Sequence, residues 1–150
     1  MLQNPKPRIF LDSNVIFSGL YSSEGAPGII LKLFVDGKLD VVISQQVLEE
    51  VVQTVKEKLP EALSSLRKLL ISVTPEIVEA PPSREVARWS KIVSLEDASI
   101  LAAAVLAKPD YLVTGDKDLL RNSSSAEKSG LAIVSPAQFL KRWGKDTLLS

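Results

Sequence analysis

The chain contains neither cysteine nor histidine in its 150 residues. Without cysteine there are no disulfides, no thiolate catalysis and no thiolate metal sites, although the compartment stays open. Without histidine the commonest general base, every Ser-His or Cys-His nucleophile pair and the usual zinc ligand are gone. Neither sign of charge is in excess: 18 Lys and Arg balance 18 Asp and Glu, so net charge carries no nucleic-acid signature and a nucleic-acid partner would need a local patch. Long apolar runs are missing too. None approaches the ~18 residues of a spanning helix, and no basic n-region precedes an apolar h-region, so the expectation is a cytoplasmic protein with no membrane contact. Any chemistry must rest on carboxylates, amides, hydroxyls, ammonium and guanidinium groups.

What remains is ordinary globular material, 45% hydrophobic and 24% charged, close to average usage. The length suits one domain, 1–150, with an ordered core over roughly 8–143. After a Pro-punctuated start, NPKP, the run RIFLD (Arg8 to Asp12) reads as a buried strand. Ile30, Leu33 and Phe34 recur at helical spacing, with Gly37 as a stop. LDVVIS (Leu39 to Ser44) reads as a second strand, and Ser44 can cap the next helix, QQVLEEVVQTVKEKL, closed by Pro60. EALSSLRKLL reads as a short helix, SVTPEIVEAPPS as a broken extended surface connection, REVARWSKIV and EDASILAAAVLAK as helices. DYLVT is a strand, GDKDLLRN a loop entering a short helix, SSSAEKSG a surface loop, and LAIVS a last strand before PAQFLKRW. Apolar strands alternating with helices predict a three-layer α/β/α sandwich on a mainly parallel sheet. In such folds sites form beyond the carboxyl ends of the strands.

Several acids fall at such ends. Asp12 interrupts IFLDSNVIF at the seam between two buried segments, where a carboxylate is costly unless compensated. Asp97 shares a helical stripe with Ile100, Leu101, Ala104 and Val105; the plainer reading is a helix-dipole or capping acid worth up to ~1 kcal/mol. Asp116 leaves the strand YLVTG, and its plainer reading is a turn residue. Asp118 shares that loop, as a supporting acid or a solvated one. Glu49 and Glu50 flank the stripe of Val51 and Val55 at similar angles, and periodicity leaves both open. Two carboxylates ~5 Å apart repel by about 3 kcal/mol at an effective dielectric near 20, so several at one rim call for protons or a cation. Mg²⁺ suits aspartates without histidine.

The order of these pieces resembles the PIN-domain family of metal-dependent nucleases. The segments that carry the likeness are FLDSNVIFSGL, VVISQQVLEEVVQTV, LEDASILAAAV and YLVTGDKDLL, and LAIVSPAQFL fits the family's closing strand and helix. The subgroup it looks most like is the toxin component of toxin–antitoxin pairs, VapC-like in the broad sense. The resemblance implies the PIN-like fold, Mg²⁺ or Mn²⁺ as cofactor and cleavage of single-stranded RNA. It makes Asp12, Glu50, Asp97 and Asp116 the acidic metal-site and catalytic residues, Glu50 because the family's acid lies six residues after the serine ending strand two. Asn14 and Thr114 match polar positions that support the first and last acids. A cognate antitoxin and a homodimer or higher oligomer are implied as partners, with dimerisation sought in the helices from Pro60 to Val93.

Arg84, Arg88, Lys91, Lys117 and Arg121 lie near these acids in sequence, and Lys91, Lys117 and Arg121 are the candidates for holding substrate; the plainer reading of all five is solvated surface. Trp89 could stack on a base, but with Val86 and Val93 it completes a helical stripe and reads as core. Two rivals exist. One is a catalytically quiet PIN-fold binding or assembly module that uses the acidic pocket for metal or a basic partner segment. The other is a phosphoryl-accepting aspartate of receiver or haloacid-dehalogenase type, disfavoured because D-S-N lacks a second Asp two positions on.

Overall fold

The run RIFL forms β1 (Arg8–Leu11), and its Ile9, Phe10 and Leu11 are all buried, as a strand covered on both faces requires. Two helices follow, α1 (Ser13–Tyr21) and α2 (Ala26–Val35), then β2 (Asp40–Ser44) and α3 (Gln45–Lys58). A turn of 3-10 helix leads into α4 (Leu63–Val73), and the chain continues through β3 (Glu76–Val78), α5 (Ser83–Trp89) and α6 (Leu95–Ala107). It ends with β4 (Tyr111–Val113), α7 (Lys117–Arg121), α8 (Ser123–Glu127), β5 (Ile133–Val134) and α9 (Pro136–Leu149). The computed structural model describes residues 6–149, with side chains over 6–144; Asn4 and Pro5 of the opening NPKP lie outside them.

The strands form one sheet in the order β3-β2-β1-β4-β5, and every pairing is parallel. From β1 the chain steps outward to β2 and β3, then returns across the sheet to β4 and β5. Right-handed crossovers put the helices of the outward and return paths on opposite faces. Accordingly α1, α2, α3 and α4 pack on one another with α9 against α2, while α6 lies on β2 with α5 against it. This is the expected three-layer α/β/α sandwich on a parallel sheet. Strand order reverses between β1 and β4, which opens a crevice at their carboxyl ends. The register pairs Leu11 with Val113, so Asp12 and Thr114 leave the sheet side by side.

Two segments differ from the sequence reading. The Pro-flanked connection contains β3, whose Glu76 carboxylate takes a two-pronged bond from Arg8, Nη1 to Oε1 at 3.2 Å and Nη2 to Oε2 at 2.9 Å. Arg8 also reaches Asp40 at 3.4 Å and the Ala107 carbonyl at 3.0 Å, tying β1, β2, β3 and the end of α6 together at the amino rim. The serine-rich stretch read as a loop forms α8, anchored by buried Ala126. Trp89 is buried, as read.

The α1–α2 hairpin depends on a missing side chain. A Cβ at Gly28 would meet the Ser23 carbonyl carbon and oxygen at 2.5 Å and the Ser22 oxygen at 2.6 Å, all backbone that cannot swing aside. Gly28→Ala is therefore expected to destabilise by about 1–3 kcal/mol and lower the melting temperature, followed by circular dichroism, by roughly 2–10 °C. Gly144→Ala, in open space within α9, should leave it unchanged or slightly raised.

Candidate active site

Asp12 ends β1 and starts α1 with extended backbone, φ −76° and ψ 157°. It is only 5% exposed, and its carboxylate survives burial by collecting donors. The Ser13 amide donates to Oδ1 at 2.8 Å, the Thr114 hydroxyl to Oδ2 at 2.8 Å, and the Asn14 side-chain amide to Oδ2 at 3.3 Å. Burial pushes the Asp12 carboxyl above its usual range; the Thr114 and Ser13 bonds oppose that rise, and the charges of Glu50 and Asp116 add to it.

Two of those donors also fix the neighbouring turn. Fully buried Thr114 accepts from the Asp116 amide at 3.0 Å while donating to Asp12. Asn14 accepts from the Gly115 amide at 2.9 Å. The turn after β1 and the turn after β4 are thus cross-linked, and Asp12 and Asp116 are held in one frame. Asp116 caps α7, its Oδ1 accepting from the Asp118 amide at 2.8 Å and the Leu119 amide at 3.2 Å.

The helix α3 begins where Ser44 Oγ accepts from the Val47 amide, and it buries Val47, Val51 and Val55. Its two glutamates part company. Glu49 is exposed and accepts from Gln45 at 3.3 Å. Glu50 is half-buried and faces the turn after β1: Ser13 Oγ donates to its Oε2 at 3.0 Å and Gln46 Nε2 to its Oε1 at 3.0 Å.

Asp97 enters from the opposite layer, in the first turn of α6, whose cap is Ser94 Oγ accepting from the Asp97 amide at 3.2 Å. One carboxylate oxygen each of Asp97, Asp116 and Asp118 lie within 4.8 Å of one another. The Asp97 carboxyl is pushed up to about 6, first by burial, then by the charge and hydrogen-bonding of Asp116, and further by Asp12 and Asp118. Across the β1–β4 crevice Asp12 thus feels Glu50 and Asp116, and Asp97 feels Asp116, Asp12 and Asp118.

Among the described residues, Asp12, Glu50, Asp97 and Asp116 have no lysine or arginine partner; the ion pairs are Arg8 with Asp40 and Glu76, Arg88 with Glu85, and Arg121 with Asp118. Hydroxyls and amides hold Asp12, Glu50 and Asp116 in place without cancelling their charge. Such a set, all oxygen and without nitrogen or sulfur ligands, fits a hard divalent cation such as Mg²⁺ or Mn²⁺ and does not resemble a zinc site.

A family model described as PIN domain matches residues 8–118. The chain belongs to the PIN-domain family. No curated protein matches it by sequence, but its fold is shared with solved structures. The VapBC2 complex of Rickettsia felis, solved on a DNA fragment from its promoter, contains a chain that is 17% identical, with a TM-score of 0.64 over 85% of this chain and 98% of that one. A Pyrobaculum aerophilum protein is 16% identical, with a TM-score of 0.67 over 93% and 97%. The VapC20 toxin of Mycobacterium tuberculosis, described as cleaving the sarcin-ricin loop, is 18% identical, with a TM-score of 0.56 over 75% and 93%.

In this PIN domain Asn14 and Thr114 bridge the two turns, and Asp118 joins Asp97 and Asp116 while pairing with Arg121. Arg84, Arg88, Lys91, Lys117 and Arg121 are all exposed. Arg88 bonds Glu85 and lies 6.0 Å from the Trp89 ring. Sequence reasoning passes over two residues that hold Glu50, Ser13 and Gln46. For Gln46 a signal exists, since an amide four residues before a carboxylate on one helix is a pairing distance.

Proposed function

We propose that this PIN domain is a metal-dependent endoribonuclease acting on phosphodiester bonds of single-stranded RNA, and the toxin of a toxin–antitoxin pair. What supports the reading is that Asp97 and Asp116 lie together with Asp118, that Asp12 feels the charges of Asp116 and Glu50, and that Asp12, Glu50, Asp97 and Asp116 are unpaired with any cation among the described residues. Those four acids would hold Mg²⁺ or Mn²⁺, directly or through water. The bound ion would activate water and offset the charge of the phosphoryl transition state.

The chain's own contribution is positional. Thr114 and Asn14 keep Asp12 and Asp116 in one frame, so that two acids are ordered before any ligand arrives. Ser13 does the same for Glu50. Lys117, next to Asp116, with Lys91 and Arg121, would meet substrate phosphates; Arg121 would then exchange Asp118 for a phosphate oxygen. A cognate antitoxin is proposed from the VapBC relative, self-association from the family with the helices between Pro60 and Val93 as its surface, and a cytoplasmic location from the likeness to toxin–antitoxin PIN proteins. No described helix is long and apolar enough to cross a membrane.

The test is incubation of purified protein with mixed single-stranded RNAs in Mn²⁺, Mg²⁺ or EDTA. Discrete products with either ion and none with EDTA are expected. Mn²⁺ binding without product over many RNAs would overturn the nuclease reading and favour the catalytically quiet module.

A further inference from the structure

Both oxygens of Glu50 are occupied, and neither occupant carries charge: Ser13 Oγ sits 3.0 Å from Oε2 and Gln46 Nε2 3.0 Å from Oε1. The same Gln46 nitrogen lies 3.4 Å from the main-chain oxygen of Glu96, the residue before Asp97 in the first turn of α6. One half-buried amide therefore spans from the start of α3 to the start of α6, the two elements that deliver Glu50 and Asp97. We propose that Gln46 is a positioning residue of the metal site, a neutral clamp that fixes Glu50 against α6 while leaving its full negative charge for a divalent cation. This rests on the metal-dependent reading above.

The physical case turns on which donors could stand at that position. A carboxylate gains more from a charged donor than from a neutral one, and a lysine four residues before Glu50 would lie within pairing distance. Stability alone would thus be served at least as well by lysine. A lysine would also put a positive charge beside the crevice, in direct competition with a metal ion. Leucine would fill the volume, but would leave Oε1 without its donor and Glu50 held by Ser13 alone. Glutamine alone of the three both orders Glu50 and preserves its charge. Groups behind metal ligands commonly affect affinity about 10- to 100-fold when removed.

The helix supplies its own control. Gln45 makes the same i,i+4 bond to Glu49, at 3.3 Å, on the exposed side, where it joins no acid of the crevice. Gln45→Leu therefore reports what losing such a pair does to α3 alone.

The experiment is Mn²⁺ titration of the full chain, free Mn²⁺ read by electron paramagnetic resonance, together with thermal melting. Gln46→Leu is expected to raise the Mn²⁺ dissociation constant about tenfold. Gln46→Lys, which retains a donor, should raise it by more than that with a melting temperature equal to or above wild type. Gln45→Leu should bind as wild type does. If Gln46→Lys and Gln46→Leu bind Mn²⁺ like wild type, or if Gln45→Leu weakens binding as much as Gln46→Leu, the clamp is overturned while the metal site stands. If wild type itself binds no Mn²⁺, the metal-dependent reading falls and the clamp with it.

Discussion

Asp12→Asn is expected to reduce metal-dependent RNA cleavage by about 10³-fold, while the metal-free protein melts within about 3 °C of wild type. The two halves follow from the same geometry. Asn keeps an oxygen for the Ser13 amide, so the cap on α1 survives. Its NH₂ would then face Thr114 Oγ, which can turn to accept, and the Asn14 amide nitrogen at 3.3 Å, which cannot turn without losing Gly115. That donor–donor conflict, with the buried Thr114 hydroxyl hydrogen deprived of its Asp12 acceptor, is destabilising by roughly 1–2 kcal/mol. Against it stands the removal of a buried charge that its surroundings disfavour, since burial and the charges of Glu50 and Asp116 raise the Asp12 carboxyl despite its hydrogen bonds. The two effects offset. Cleavage assays in Mn²⁺ and melts in EDTA check the halves separately. A variant that cuts RNA at the wild-type rate would remove Asp12 from the chemistry, whereas one that fails to fold would show that the acid is structural.

Asp12 could be read from the sequence because its signal is local. An unbroken apolar run ends in a carboxylate, and β1 with its carboxyl-end loop follows from that alone. The stripe of α3 is equally plain, but the choice between Glu49 and Glu50 is not. The two flank the stripe symmetrically, and what separates them is Ser13, 37 positions away in sequence. Only tertiary packing, or a family likeness standing in for it, can supply such a partner. The edge strand β3 is hidden for a related reason: it is short, Pro-flanked and exposed at Ile77, and its place is fixed by Arg8, 68 positions upstream. In α8 a single buried alanine among serines carries the helix inward, too little for any periodicity to register.

The remaining large effect is on pH, where the metal-free protein is expected to melt higher at the lower pH and the metal-loaded protein to lose that dependence. Asp97, pushed up to about 6, binds its proton more readily folded than unfolded. The stability from that proton is complete below about pH 4, where the unfolded chain is protonated as well, and is lost as pH rises through about 6. Asp12 shifts in the same direction. Glu76 shifts the other way, held down by Arg8, so its contribution is lost only as pH falls below the ordinary carboxylate range. Between about pH 5 and pH 7.5 the acids of the crevice therefore govern the slope, and the metal-free protein should melt higher at the lower pH. Discounted for solvent screening, the difference is of order 1 kcal/mol, or about 2–4 °C. A divalent ion requires the ionised carboxylate. With only about a tenth of Asp97 ionised at pH 5, the Mn²⁺ dissociation constant should rise at least ~10-fold from its value at pH 7.5. Because a ligand stabilises by RT ln(1 + [L]/Kd), tenfold weaker binding at pH 5 removes about 1.4 kcal/mol of that stabilisation, which offsets the advantage of the proton, so with saturating Mn²⁺ the melting temperatures at pH 5 and pH 7.5 should converge. Asp97→Asn should flatten the metal-free slope. A metal-free slope that saturating Mn²⁺ leaves unchanged would mean that the raised carboxyl of Asp97 and the cation do not share a site.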